Sequence, residues 1–273
     1  MSSPPTPAQA SALGSAPAKA GLILTVLILG ATVANINTSI SNVALPSIAS
    51  ALNATDTELT GITDAYQLGI AATVLYLGAV GDRYGRKGML LLGALLCVPF
   101  SLASAWSPNA VFLIVAQIAV GVAGGMLCPT TLSMITALWR GKKLTGAIAL
   151  WTGLGTGASV LGPIMGGYLL DNYWWGSVFL ITVPFALLVL VMGAIILPRS
   201  RAAEKAPVDH AGGSLSVVMI SSFVLGIVML PQGITITVAI LFAVTLVSGT
   251  LFVWRQKRAP NPLFDLELAA VPT

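Results

Sequence analysis

The chain is written in long apolar blocks separated by short polar breaks. Eight blocks stand out, at roughly 21–45, 61–81, 88–106, 109–130, 145–170, 175–197, 213–231 and 235–254. A helix of about 20 apolar residues is long enough to cross ~30 Å of hydrocarbon. The pattern predicts an all-α polytopic membrane protein with eight spans. Six come with short loops. A polar linker follows, then a two-helix hairpin closed by Pro231, Gln232 and Gly233. The expected organisation is a disordered cytoplasmic tail over 1–20, rich in Pro, Ser and Ala, and a six-helix unit over 21–197. The linker covers 198–212, the hairpin 213–254, and a second cytoplasmic tail 255–273, which reads as the lead-in to a ninth helix. A signal peptide is not expected, because the first apolar block starts late, is too long and lacks a charged flank at the start.

Composition agrees with a membrane setting. Of 273 residues, 56% are hydrophobic and 8% charged, against about a quarter charged in soluble domains. The mean hydropathy is +0.92. The net charge of +4 is a topology signal rather than a nucleic-acid footprint, because all 13 basic residues fall on one side of the predicted spans. Lys19 precedes the first span, and Arg83, Arg86 and Lys87 lie between the second and third. Arg140, Lys142 and Lys143 lie between the fourth and fifth, and Arg199, Arg201 and Lys205 between the sixth and seventh. Arg255, Lys257 and Arg258 follow the eighth. The positive-inside rule then places both termini in the cytoplasm, with the chain in a plasma or inner membrane. Cys97 and Cys128 lie inside apolar blocks and read as packing residues. His210 has no partner pattern, so neither a metal nor a cofactor is expected. No nucleophile–base spacing, clustered ligand set or phosphate-binding loop suggests an enzyme. Trp106, Trp139, Trp151, Trp174 and Trp175 lie near span ends and fit interfacial belts.

One stretch breaks the apolar pattern. Val33 to Leu52 carries Asn35, Asn37, Thr38, Ser39, Ser41 and Asn42, directly after the apolar run Gly21 to Thr32. Its polarity without charge reads as a pathway-facing outer half of the first helix. Asp64 is the carboxylate nearest to lying within a span on that side. Such a group defaults to a functional role, against the alternative of a solvated helix end. Tyr66 and Gln67 are weaker candidates for facing the same pathway. Asp56 and Glu58 are assigned to the outer loop, and Asp171 to the end of the fifth helix.

Two motifs carry more specific information. Between the second and third spans, Gly78, Asp82, Arg83, Gly85, Arg86 and Lys87 spell G-x-x-x-D-R-x-G-R-K. Its glycines permit a tight turn, and its basic cluster can pair with another helix end. In the fifth span, Gly157, Gly162, Pro163, Gly166 and Gly167 spell G-x-x-x-x-G-P-x-x-G-G, small surfaces for close packing with a proline that favours a bend.

The first motif resembles the signature loop of the major facilitator superfamily, which latches two transporter halves together at the cytoplasmic gate. The second is similar to the antiporter motif of that superfamily's drug:proton antiporters. "SNVALPSI" from Ser41, "TDAYQL" from Thr63 and "YWWGSVFLITVP" from Tyr173 resemble the fourteen-helix branch that exports quaternary-ammonium and other lipophilic cations. The ending "NPLFDLEL" resembles the approach to that branch's ninth helix. The resemblance covers about residues 20–270. It implies the N-terminal six-helix half of a facilitator fold plus the branch's extra hairpin. It also implies proton-coupled efflux, with lipophilic cations, protons, the bilayer and a second, C-terminal half as partners. The alternatives are a split or truncated half-fold that does not transport, or an uncoupled facilitator.

The chain departs from that family at two positions. Where the family carries an Asp, five residues before Asn42, this chain has Asn37. Where it carries an Arg, four residues before Gly121, this chain has Gln117. Counting along the predicted helices places both at one depth, which suggests a charged pair replaced as a unit by two amides. The simpler reading is two independent polar residues. Coupling is therefore expected to rest on Asp64, or on residues outside this chain, with Asn37 and Gln117 as the neutral members of the site.

Overall fold

The computed structural model describes residues 19–198, 208–230, 233 and 235–258, all of which fall in helices or short connections. Eight helical columns follow one another: α1 (Ala20–Leu52), α2 (Asp56–Tyr84), α3 (Arg86–Ala105), α4 (Ala110–Leu138), α5 (Gly141–Asn172), α6 (Trp175–Ile196), α7 (His210–Met229) and α8 (Ile236–Arg258). A 3-10 turn at Ala158–Val160 interrupts α5, and α6 opens with 3-10 turns through Ile181. The hairpin loop and most of the predicted linker, like both predicted tails, lie largely outside the described residues.

Polar residues between the apolar blocks are helix-start signals. Thr55 and Glu58 form a reciprocal capping box at the head of α2, with the Thr55 amide donating to Glu58 Oε2 at 2.8 Å. Asn109 accepts from the Phe112 amide at 2.8 Å and caps α4, and Asp209 accepts from the Gly212 amide at 3.0 Å and caps α7. Such caps satisfy backbone donors that the first helical turn leaves open. Asp56 and Glu58 consequently belong to the first turn of α2 and not to a loop. Likewise α1 runs on past Pro46 to Leu52.

Seven of the eight columns are long and apolar enough to cross a bilayer; α2 is not among them. It is as long as the others, but Asp64, Gln67, Asp82 and Arg83 dilute its hydropathy. It nonetheless sits inside the bundle, between α4 and α7. The α2–α4 seam is built on glycine: a Cβ on Gly121 would stand 2.2 Å from the Tyr66 carbonyl oxygen, and one on Gly69 2.4 Å from that of Ile118. Helix association in lipid relies on such backbone proximity, since hydrocarbon supplies little hydrophobic drive.

Two buried apolar clusters stack along the bundle. One, toward the end that carries the basic residues, includes Leu27, Val33, Leu127, Met134, Trp139 and Ala186. The other, toward the opposite end, includes Ile36, Ile40, Ile62, Leu113, Phe179 and Ile181. Trp139 is therefore a core side chain and not an interfacial one, whereas Trp106 and Trp174 are exposed at the far end.

The hairpin is less of a lipid-facing appendage than its composition suggests. Helix α7 packs on α2 so closely that a Cβ on Gly213 would overlap the Tyr76 ring. His210, unpartnered by sequence pattern, has Nδ1 2.8 Å from Tyr76 Oη and Nε2 3.2 Å from Tyr84 Oη. Helix α8 is the more peripheral of the two, with Ile240, Leu246, Val247 and Leu251 exposed.

Candidate functional site

The polar stretch of α1 is mostly satisfied by its own helix. Side chains of Asn35, Thr38 and Asn42 donate to the carbonyls of Ala31, Ala34 and Thr38 at 2.9, 3.4 and 3.1 Å. Back-bonding of this kind lets polar side chains lie at membrane depth without a partner helix. Asn37 goes further. It is 3% exposed, its Nδ2 donates to the Val33 carbonyl at 2.9 Å, and its Oδ1 accepts from Thr182 Oγ1 of α6 at 3.1 Å. Val33 and Ala186 belong to one apolar cluster and Ile36 and Ile181 to the other, so this bond bridges α1 and α6 at the seam between the clusters.

Gln117 does not join it. Its side chain is 1% exposed, and neither its Nε2 nor its Oε1 has a hydrogen-bond partner. The register of α1 against α4 explains the separation. A Cβ on Gly30 would come within 2.9 Å of the Thr131 methyl. Counting outward from there along antiparallel helices sets Asn37 level with about Gly124, roughly 10 Å along the axis from Gln117. The expected common depth of Asn37 and Gln117 came from placing the end of α1 too early, and the pairing it suggested is not present.

Asp64 is half-buried on α2, one turn before the glycine seam with α4, and Gln67 on the same helix is exposed. Tyr66 turns inward instead: it is 1% exposed, and its hydroxyl donates to the Ala34 carbonyl at 2.9 Å. It locks α2 to α1 beside Gly124 and does not face an open pathway.

The loop between α2 and α3 is an ordered joint. Gly85 ends one helix and starts the next at φ 137°, a conformation that side chains with a Cβ rarely adopt. Asp82 accepts from Arg86 Nε at 2.6 Å and from the Ser133 hydroxyl of α4. Lys87 donates to the Ala194 and Leu197 carbonyls at 2.7 and 2.8 Å, closing the C-terminus of α6, where a cation is favoured. Gly78 passes close to Pro129, which a Cβ would approach at 3.2 Å. The motif thus ties α2, α3, α4 and α6 of one bundle together.

The glycine motif of α5 divides between two faces. Gly162 packs on α1, where a Cβ would lie 2.7 Å from Ser39 Cβ, and Gly166 lies over Val43. Gly157 and Gly167 have open space where a Cβ would go, and Pro163 is exposed beside the 3-10 break. One half of the motif seats the helix. The other leaves a smooth uncovered face.

Thr182 and Ser133 complete these arrangements and were not singled out by sequence. Thr182 carried a faint signal, a single hydroxyl in the otherwise apolar run Val178 to Val183. Ser133 carried none, because its role depends on the three-dimensional pairing of α2 with α4. Among the described residues no group of three or more His, Cys, Asp or Glu side chains is placed to hold a metal ion.

Known proteins share both this sequence and this architecture. The family model described as Major Facilitator Superfamily matches residues 7–267. The chain is 37% identical over 257 residues to the multidrug efflux pump LfrA of Mycolicibacterium smegmatis, covering 93% of this chain and 51% of that protein. It is 33% identical over 252 residues to the methyl viologen resistance protein SmvA of Salmonella typhimurium, covering 90% and 50%. The chain therefore spans about half the length of the curated relatives it matches. Among solved structures, the peptide transporter POT in complex with sulfate superposes with a TM-score of 0.66 at 14% identity, over 93% of this chain and 56% of that one. The proton:xylose symporter XylE superposes with a TM-score of 0.61 at 14% identity, over 88% and 54%. At such identities these likenesses concern the fold alone. With the family model matched along most of its length, the chain belongs to the Major Facilitator Superfamily.

Proposed function

We propose that this chain is the first half and central hairpin of a transporter that exports lipophilic cations in exchange for protons, with both termini cytoplasmic in the plasma membrane. The observation that carries the reading is the half-buried carboxylate of Asp64 beside the exposed amide of Gln67, on the helix packed most intimately against α4. The sites where the resembling family holds charge carry neutral amides here, one bonded to Thr182 and one without partner. Asp64 is then the group that exchanges a proton for a cation. Relatives named for multidrug efflux and for methyl viologen resistance support the substrate class, since methyl viologen is itself a flat quaternary dication.

A second reading concerns sufficiency. Transport by rocking halves needs two six-helix bundles around a midplane site, and the chain matches about half of its relatives. Transport thus requires a complementary half, from the same or a second polypeptide. The test measures pH-gradient-driven efflux of ethidium from vesicles holding this chain, alone and with a complementary half. Asp64→Asn should abolish efflux from the active combination while Asp171→Asn leaves it intact. Efflux unchanged by Asp64→Asn would remove Asp64 from the mechanism.

A further inference from the structure

We propose that the trough between α7 and α8 is a binding site for one anionic phospholipid of the leaflet at the basic end of the bundle. The trough encloses about 550 Å³, from Thr245 down to Lys257, with Met219 of α7 forming the opposite wall. Its depth comes from Gly249, where a Cβ would stand 3.3 Å from the Met219 sulfur. Its hydroxyls are already occupied: Thr245 bonds Ser222 and the Leu241 carbonyl, both at 2.9 Å, and Thr250 bonds the Leu246 and Val247 carbonyls. The wall is consequently apolar to a ligand, although polar residues line it.

Length and charge select the occupant. Thr245 to Lys257 covers about 18 Å of helix, close to the ~15 Å hydrocarbon depth of one leaflet. An acyl chain laid along Leu246, Gly249 and Val253 places its headgroup at Lys257. That lysine is exposed and makes no ion pair among the described residues, whereas neighbouring Arg255 is engaged by Asp209 at 2.7 Å. Arg258 stays at the same end, its guanidinium 4.4 Å over the Trp254 ring. Among the described residues, no carboxylate lines the trough. A basic pocket between membrane helices suits an anionic headgroup, while a lipophilic cation would meet Lys257 as a like charge. This inference stands apart from the transport reading.

Native mass spectrometry of the purified chain, titrated with dioleoyl-phosphatidylglycerol or dioleoyl-phosphatidylcholine, tests it. One phosphatidylglycerol should be retained about fivefold more tightly than phosphatidylcholine, the worth of one lysine beside an anionic headgroup. Lys257→Gln, at an exposed position that folding does not depend on, should erase that preference. Gly249→Leu, with helix content verified by circular dichroism, should fill the trough and release both lipids. Equal retention of the two lipids, or an unchanged preference in Lys257→Gln, overturns the proposal. So does displacement of phosphatidylglycerol by millimolar inorganic phosphate, which would mark a free-anion site. A two-copy species that Gly249→Leu dissolves also overturns it, since the trough would then be an interface.

Discussion

Thr182 Oγ1 donates a 3.1 Å hydrogen bond to Asn37 Oδ1, so the buried polar groups of α1 and α6 satisfy each other where the two apolar clusters meet. Truncating one partner strands the other. Thr182→Val is expected to cost about 1–3 kcal/mol, the penalty of an unsatisfied buried acceptor. The double variant Thr182→Val with Asn37→Leu should cost less than the two singles combined. Thermal unfolding in detergent for the four proteins of this cycle measures the coupling, and strict additivity would mean that the bond contributes nothing.

Gln117 gives the opposite expectation. A buried amide with no partner is a net cost that replacement by an apolar side chain of similar size removes. Gln117→Leu should therefore leave the melting temperature unchanged or raise it. Restoring charge should not work: Asn37→Asp and Gln117→Arg lie roughly 10 Å apart along the bundle, too far for a direct pair. Their combination should be as poorly folded as the worse single. Recovery of folded yield by the double variant would show that the helices bring the two positions together after all.

Sequence pattern alone specifies the helices and their order, because membrane spans are written in long apolar blocks that later packing does not rewrite. It missed what depends on partners. Asp56 and Glu58 look like loop residues until the capping box with Thr55 puts them in a helix. His210 looks solitary until α7 lies against Tyr76 and Tyr84. The supposed Asn37–Gln117 pair failed on one boundary: ending the first span near residue 45, just before Pro46, shortened the helix and shifted the depth of Asn37. Block edges are weak signals, because a proline near the end of a span is compatible with continuing or stopping. The glycine pattern of α5 was legible as a motif, but its division into a packed and an open face required the position of α1.

That division predicts unequal effects of one chemical change. A methyl at Gly162 would meet Ser39 Cβ at 2.7 Å, whereas a methyl at Gly157 meets nothing within 4 Å. Gly162→Ala should destabilise the bundle by about 1–3 kcal/mol through overpacking. Gly157→Ala should be neutral or stabilising by about 0.4–1 kcal/mol, since its helical backbone accepts alanine. Melting temperatures of the two variants check this, and equal losses would place both glycines in the packed seam.

The joint between α7 and α8 supplies a pH dependence. Both carboxylate oxygens of Asp209 share the Arg255 Nε–H, each at 2.9 Å, and Asp209 caps the first turn of α7. The Arg255 hydrogen bonds hold its carboxyl below the usual aspartate value, helped by the Gly212 amide and opposed by burial. A carboxyl depressed in the folded state stabilises it fully above the unfolded value of about 3.9 and loses that contribution as pH falls through the folded value. The joint should hold unchanged from neutral pH down to about 4 and loosen below it. Hydrogen exchange at the first-turn amides of α7, followed from neutral to acid pH, measures this directly. Asp209→Asn should show the loosened exchange rate already at neutral pH, with no further change on acidification. An acid-induced rise that persists in Asp209→Asn would assign the transition to another group.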